Sequence, residues 1–220
     1  MSYKCWGITP KNEQQKECIK HLLDPYVDLV IMQGVAGSGK TLLALAAGLE
    51  SVLNNKQYTE ILFTRAPVAI GHDMGHLPGD INEKMAPWCG AVLDNMELLL
   101  DTAKMGKMQR ESTSVIVENK IKFAAMMHMR GRSLCNKWVI IDEVQNISIA
   151  ELKVLLTRAG EGSKVICMGD VNQIDNRKLD LHSNALSYLI YKSEDAQFIK
   201  YIDLPTCERS RLSAWAATIL

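Results

Sequence analysis

The residues Gly34-Val-Ala-Gly-Ser-Gly-Lys40-Thr41 match the pattern G-x-x-x-x-G-K-[ST], and few sequence features restrict a fold as tightly. The pattern works as a loop between a buried parallel strand and the first turn of a helix. There, backbone N–H groups and a helix N-terminus can converge on phosphate. The flanks comply. Leu29-Val30-Ile31-Met32 is an apolar run suited to a strand buried on both faces. Leu42 to Leu53 is apolar with helical periodicity. The plain alternative is a glycine-rich turn that merely precedes a helix, and four matched positions in this context argue against it.

Each position has a chemical task. Gly34, Gly37 and Gly39 let the backbone curl, so that successive N–H groups from Gly34 through Val35, Ala36, Gly37, Ser38 and Gly39 form an anion nest. The helix that begins near Lys40, Thr41 and Leu42 adds its own N–H groups and dipole. Lys40 supplies a compact positive charge for the outer phosphates, and the Thr41 hydroxyl suits Mg²⁺.

A second site element lies downstream. Val139-Ile-Ile-Asp142-Glu143 is an apolar strand ending in two acids, the Walker B pattern. Asp142 is placed to hold Mg²⁺, and Glu143 to polarise an attacking water as general base. Many strands end in acids; here a P-loop in the same chain gives the pair a purpose. Gly169-Asp170-Val171-Asn172-Gln173 follows a further buried run, and Gln173 is the candidate γ-phosphate sensor. An arginine on the transferring phosphoryl group would assist hydrolysis. Arg209 is the leading candidate, with Arg65, Arg130 and Arg132 as others; each taken singly reads as readily as a surface ion-pair residue. His72 and His76 have zinc-ligand spacing, but Gly71, Gly75 and Pro78 oppose a helix and no third ligand is evident. Met126, Met127 and Met129 read as packing residues.

Composition excludes little. Lys+Arg 25 balances Asp+Glu 25, so no global basic signature marks a polyanion partner. Charge is nevertheless uneven: residues 101–137 hold eight basic and three acidic side chains. Such a segment can bind a polyanion or simply be a solvated face. The six cysteines include no C-x-x-C pair, there is no secretory leader and no run is long enough to span a membrane. A cytoplasmic location, with no membrane association, is expected.

The coarse pattern alternates strands and helices. Thr9-Pro10 opens a predicted helix over 11–23, followed by a strand over 28–33, a helix over 39–54 and a strand over 60–64. Residues 65–79 read as a long loop, and a helix follows over 80–101. Ser114–Val117 and Lys120–Ala124 read as a hairpin turning at Glu118-Asn119. Strands over 138–141, 164–168 and 198–202 alternate with helices over 148–159, 182–191 and 212–220. The expected fold is one α/β domain over 1–220, three layers thick with a mostly parallel central sheet.

Beyond these elements the chain resembles the PhoH-like family of P-loop ATPases. The resemblance rests on GVAGSGKT (34–41), TRAPVAIGHDMGHLPGDINEKMAPW (64–88), RGRSLCNKWVIIDEVQN (130–146), LLTRAGEGSKVICMGDVNQID (155–175) and ERSRL (208–212). It implies a RecA-like P-loop NTPase fold, similar to the core of superfamily 1 helicases, and a homo-oligomeric ring, a hexamer. It also implies a glutamine upstream of the P-loop that reads adenine; Gln15 fits, pointing to ATP. Where the family has Asp-Glu-Ala/Met-Gln, this chain has Asp142-Glu143-Val144-Gln145, and the loop after Pro67 lacks the usual acidic stretch. The leading expectation is an Mg²⁺-dependent ATPase acting on RNA or single-stranded nucleic acid. The alternatives are a small-molecule kinase and a non-catalytic, ATP-dependent assembly protein.

Overall fold

The computed structural model describes residues 5–66, 81–102, 107–129 and 131–219. Residues 67–80, with His72 and His76, and Arg130 lie outside the described residues. Six strands form one sheet: β1 (Leu29–Gly34), β2 (Glu60–Arg65), β3 (Ile121–Phe123), β4 (Lys137–Asp142), β5 (Lys164–Gly169) and β6 (Ile199–Leu204). Their order is β3-β2-β4-β5-β1-β6, and every pairing is parallel. Parallel strands require crossovers, and those crossovers carry the helices onto the two faces.

Alternation along each strand divides the core in two. Val30 and Met32 of β1 join one cluster; Leu29 and Ile31 join the other. The first cluster takes in α1 (Glu13–Leu23) through Cys18, Ile19 and Leu22, α2 (Lys40–Leu49), and α3 (Ile81–Thr102) through Val92, Met96 and Leu99. The second takes in α5 (Ile149–Leu156) and α6 (Ala185–Lys192), which follow α4 (Lys107–Lys120) in the chain. The three-layer α/β architecture is therefore as expected, with a described sheet that is parallel throughout. A last helix, α7, spans Arg211–Ile219.

Packing of α2 on the sheet depends on Gly48. A Cβ there would lie 2.8 Å from Trp138 Nε1 and 2.9 Å from Ile61 Cδ1. The far end of α1 is held by Lys164, buried at the start of β5. Its ammonium donates to the carbonyls of Leu22 at 2.7 Å and Asp24 at 2.6 Å, with His21 O at 3.4 Å. These bonds satisfy backbone acceptors that the end of a helix leaves open. Burial pulls the Lys164 pKa down to about 8.

The structure corrects four local expectations. Residues 107–120 are helical, so the hairpin is absent; of its arms only Ile121–Phe123 is a strand, and it pairs parallel with β2. Val115, Ile116 and Val117 suggested a strand, but Ser114 Oγ donates to Glu118 Oε1 at 2.9 Å and Asn119 Nδ2 to Val115 O at 2.9 Å. Both are i,i+4 links along a helix. The first helix is capped by Asn12, whose Oδ1 accepts from Gln15 N at 2.8 Å, rather than opened by Thr9-Pro10. The α2 helix ends at Leu49 and continues to Asn54 as a π turn. Finally, α6 starts at Ala185, because Asn184 caps it through Ser187 N.

Candidate active site

The polar ends of the strands meet at the carboxyl edge of the sheet, where parallel α/β folds bind ligands. Gly34 ends β1, Arg65 ends β2, Asp142 ends β4 and Gly169 ends β5, with Asp170 next in the chain.

The glycine loop is tightly enclosed. At Gly34 a Cβ would lie 2.7 Å from Leu204 O and 2.9 Å from Ser38 Oγ, so β6 packs directly on the loop. Gly37 and Gly39 take φ of +77° and +94°, the left-handed region that curls N–H groups to one side. The Lys40 ammonium donates to Gly34 O at 2.6 Å and Val35 O at 3.1 Å. Burial lowers its pKa, and the charges of Asp170, Asp142 and Glu143 oppose that shift. Ser38 Oγ is buried with no protein partner.

Beside the loop a cleft of about 580 Å³ is lined by Gln15, Gly37, Gly39, Lys40, Thr41 and Leu42, with Leu98 and Thr102 of α3 opposite. Gln15 is brought here by α1. Its amide spans two backbone groups: Nε2 donates to Ser38 O at 3.0 Å and Oε1 accepts from Lys11 N at 2.9 Å. Gln15 thus joins α1 to the P-loop as well as lining the cleft. The segment after β6 closes another side. Glu208 N donates to Gly37 O at 2.9 Å, Lys11 Nζ to Glu208 O at 2.6 Å and Asn12 Nδ2 to Glu208 Oε1 at 2.7 Å. This strap sets Arg209 on the lip of the same cleft.

On β4, Asp142 is buried, and its carboxyl pKa is pushed up to about 6, first by burial and then by the neighbouring Glu143; Arg65, the Glu143 N–H and Lys40 oppose the rise. Its Oδ1 accepts from Glu143 N at 3.0 Å. Glu143 takes the left-handed conformation, φ 57° and ψ 40°, uncommon for a residue with a side chain. Its Oε1 accepts from Arg65 Nη2 at 2.7 Å and its Oε2 from Gln145 Nε2 at 2.6 Å.

Gln145 is fully buried and was given no role from sequence. Its Nε2 also donates to Gln173 O at 3.0 Å, and its Oε1 accepts from Asp170 N at 3.2 Å. It links the end of β4 to the loop that carries Gln173. The Gln173 side chain in turn donates to Asp170 Oδ2 at 3.0 Å, and Gln33 reaches Asp170 Oδ1 at 3.4 Å. Two sequence signals pointed this way: the polar Gln33 closing an apolar run, and Gln145 following Asp-Glu. Of the arginine candidates, Arg65 meets the acid pair and Arg209 the P-loop strap, whereas Arg132 is exposed on the loop before β4.

The chain fits the group that such a loop holds. A buried unpartnered hydroxyl and two left-handed glycines lie in the loop that carries Lys40, and a buried carboxylate with a raised pKa closes β4 at the same edge of the sheet. Among the described residues no cluster of three or more His, Cys, Asp or Glu could cage a metal. Mg²⁺ needs no such cage, since it keeps waters and takes few protein ligands.

A family model described as "PhoH-like protein" matches residues 7–220. This chain belongs to the PhoH-like family. "Protein PhoH2" of Bacillus subtilis (strain 168) is 40% identical over 215 residues, covering 98% of this chain and 48% of that protein. "Protein PhoH2" of Mycolicibacterium smegmatis is 34% identical over 216 residues, with the same coverage. The chain therefore spans about half the length of these curated relatives. Among solved structures, the Pif1 helicase from Candida albicans aligns with a TM-score of 0.41 and 18% identity, over 90% of this chain and 40% of that one. The PhoH-like family and the parallel sheet together make this a P-loop nucleotide-binding fold. Among its described residues no helix is long and apolar enough to cross a membrane.

Proposed function

We propose that this chain is an Mg²⁺-dependent ATPase of the cytoplasm that couples hydrolysis to remodelling of RNA or single-stranded nucleic acid, working as a homo-oligomeric ring, a hexamer. The observation that carries the ATPase reading is that the P-loop leaving β1 and the Asp142–Glu143 pair closing β4 lie at the same, carboxyl edge of the sheet. In this reading the N–H groups of residues 34–42 and the Lys40 ammonium hold the phosphates, and Gln15 and Leu42 bound the base side of the cleft. Thr41 and Asp142 would hold Mg²⁺, which when bound would neutralise charge on the phosphate oxygens. Glu143 accepts a proton from the attacking water, Gln173 senses the γ-phosphate and Arg209 offsets charge on the transferring group.

The nucleic-acid half rests on the family resemblance and on exposed cations. Lys120 donates to Thr59 O at 3.1 Å and Lys137 pairs with Glu60 at 2.9 Å, both at the amino end of the sheet. Six-residue strands put that end about 16 Å from the nucleotide edge. Lys122 and Arg132 are exposed. The test is phosphate release with single-stranded RNA, single-stranded DNA and no polymer, beside a mass measurement with and without ATP. Stimulation by a polymer that is lost in Lys122→Gln/Arg132→Gln supports the reading. A phosphorylated small acceptor in place of free phosphate would make the protein a kinase.

A further inference from the structure

As general base Glu143 must accept from a water, and each of its oxygens already accepts from a side chain, which takes one of the two lone-pair sites on each. Oε1 accepts from Arg65 at 2.7 Å and Oε2 from Gln145 at 2.6 Å. The left-handed backbone at Glu143 turns the carboxylate out of line with β4, a conformation that persists only where surroundings hold it. The two holders differ. Gln145 is fully buried and tied to Gln173 O and Asp170 N as well. Arg65 is part-exposed and its other contact here is longer, Nε to Asp142 Oδ2 at 3.8 Å. The register of β2 on β4 puts Arg65 directly beside Asp142, so the guanidinium bridges both acids. Lys40 is a further charge that acts on Asp142.

We propose that Arg65 is a latch on Glu143, a positioning residue that restrains the base rather than a group that acts on phosphate. Turnover then requires the Glu143–Arg65 pair to exchange for Glu143–water. After exchange, the water oxygen bonds to the γ-phosphorus as the bond to the ADP oxygen breaks; the water proton passes to Glu143 and the electron pair leaves with ADP. This proposal rests on Glu143 being the base. A part-exposed ion pair of this kind is worth up to about a fivefold change in rate.

The test measures kcat and KM for Mg–ATP by phosphate release in wild type, Arg65→Met, Arg65→Lys and Glu143→Gln, with binding of a fluorescent ATP analogue as a folding control. The latch predicts a kcat about two- to fivefold higher in Arg65→Met with KM unchanged, and a smaller rise in Arg65→Lys, which keeps the charge but not the fork. If Arg65→Met fails to bind nucleotide, the rise in Arg65→Lys decides. A fall of tenfold or more at constant KM overturns the latch and makes Arg65 a phosphoryl-contacting residue; an unchanged kcat also overturns it. The base assignment is read separately. Phosphate release by wild type but not by Glu143→Gln upholds it whatever Arg65 does, and a wild type that releases no phosphate overturns both.

Discussion

Alanine at Gly37 probes the contact between the P-loop and the strap after β6. Two costs can be read from the structure. At φ +77° a side chain sits in the left-handed region, costing about 1–2 kcal/mol. The new Cβ would also lie 2.8 Å from Cys207 Sγ and 3.1 Å from Arg209 Cβ. The sulfur can rotate away; the Arg209 Cβ moves only with its backbone, which is bonded to the loop through Glu208 N and Gly37 O. Overpacking of this kind costs about 1–3 kcal/mol. Gly37→Ala should therefore lose about 2–5 kcal/mol in urea denaturation and bind ATP more weakly. Adding Cys207→Ala removes the nearer atom. The double variant should recover about 1 kcal/mol and keep the backbone cost. Gly90→Ala in α3 is the control: its Cβ meets nothing within 4 Å, so a gain of about 0.5–1 kcal/mol is expected. A loss below about 0.5 kcal/mol in Gly37→Ala, or no recovery in the double variant, refutes the reasoning.

Three further outcomes follow from buried charges. Lys164→Met leaves the carbonyls of Leu22 and Asp24 without their donor and should cost about 1–3 kcal/mol in urea denaturation. Lys164 has a folded pKa near 8, below its ordinary value of 10.5, so the unfolded chain binds more protons between those pH values. Its contribution to stability therefore rises with pH across that window, and the wild-type slope should exceed that of Lys164→Met. Asp142 runs the other way: its folded pKa near 6 lies above 3.8, so stability falls as pH rises through that interval and stays lower above it. Asp142→Asn should be about 1–3 kcal/mol more stable than wild type at pH 7.5 in chelator, while losing Mg²⁺-dependent phosphate release.

Contiguous features were legible in the sequence, and features built across strands were not. The P-loop works through successive backbone groups, so its spacing shows directly in residues 34–41. The acid pair is likewise adjacent, at the end of an apolar run. By contrast, Arg65 meets Glu143 only because β2 lies beside β4, a neighbour relation that no local pattern encodes. Gln145 reaches Asp170 and Gln173 for the same reason, since β5 flanks β4 on the other side. The misread hairpin shows the opposite hazard. Val115-Ile116-Val117 has strand propensity, but tertiary packing buries Val117 and leaves Val115 and Ile116 exposed, as on one face of a helix. The mixed burial of β6 reflects its place at the sheet edge.

The central claim is that Glu143 activates water at a nucleotide site built on Lys40 and Asp142. Its most direct test is phosphate release from Mg–ATP by wild type and Glu143→Gln, run beside ATP binding by both. The account predicts hydrolysis by wild type, a fall of about 10²-fold or more in Glu143→Gln, and ATP binding kept in both. Hydrolysis at the wild-type rate by Glu143→Gln would contradict it.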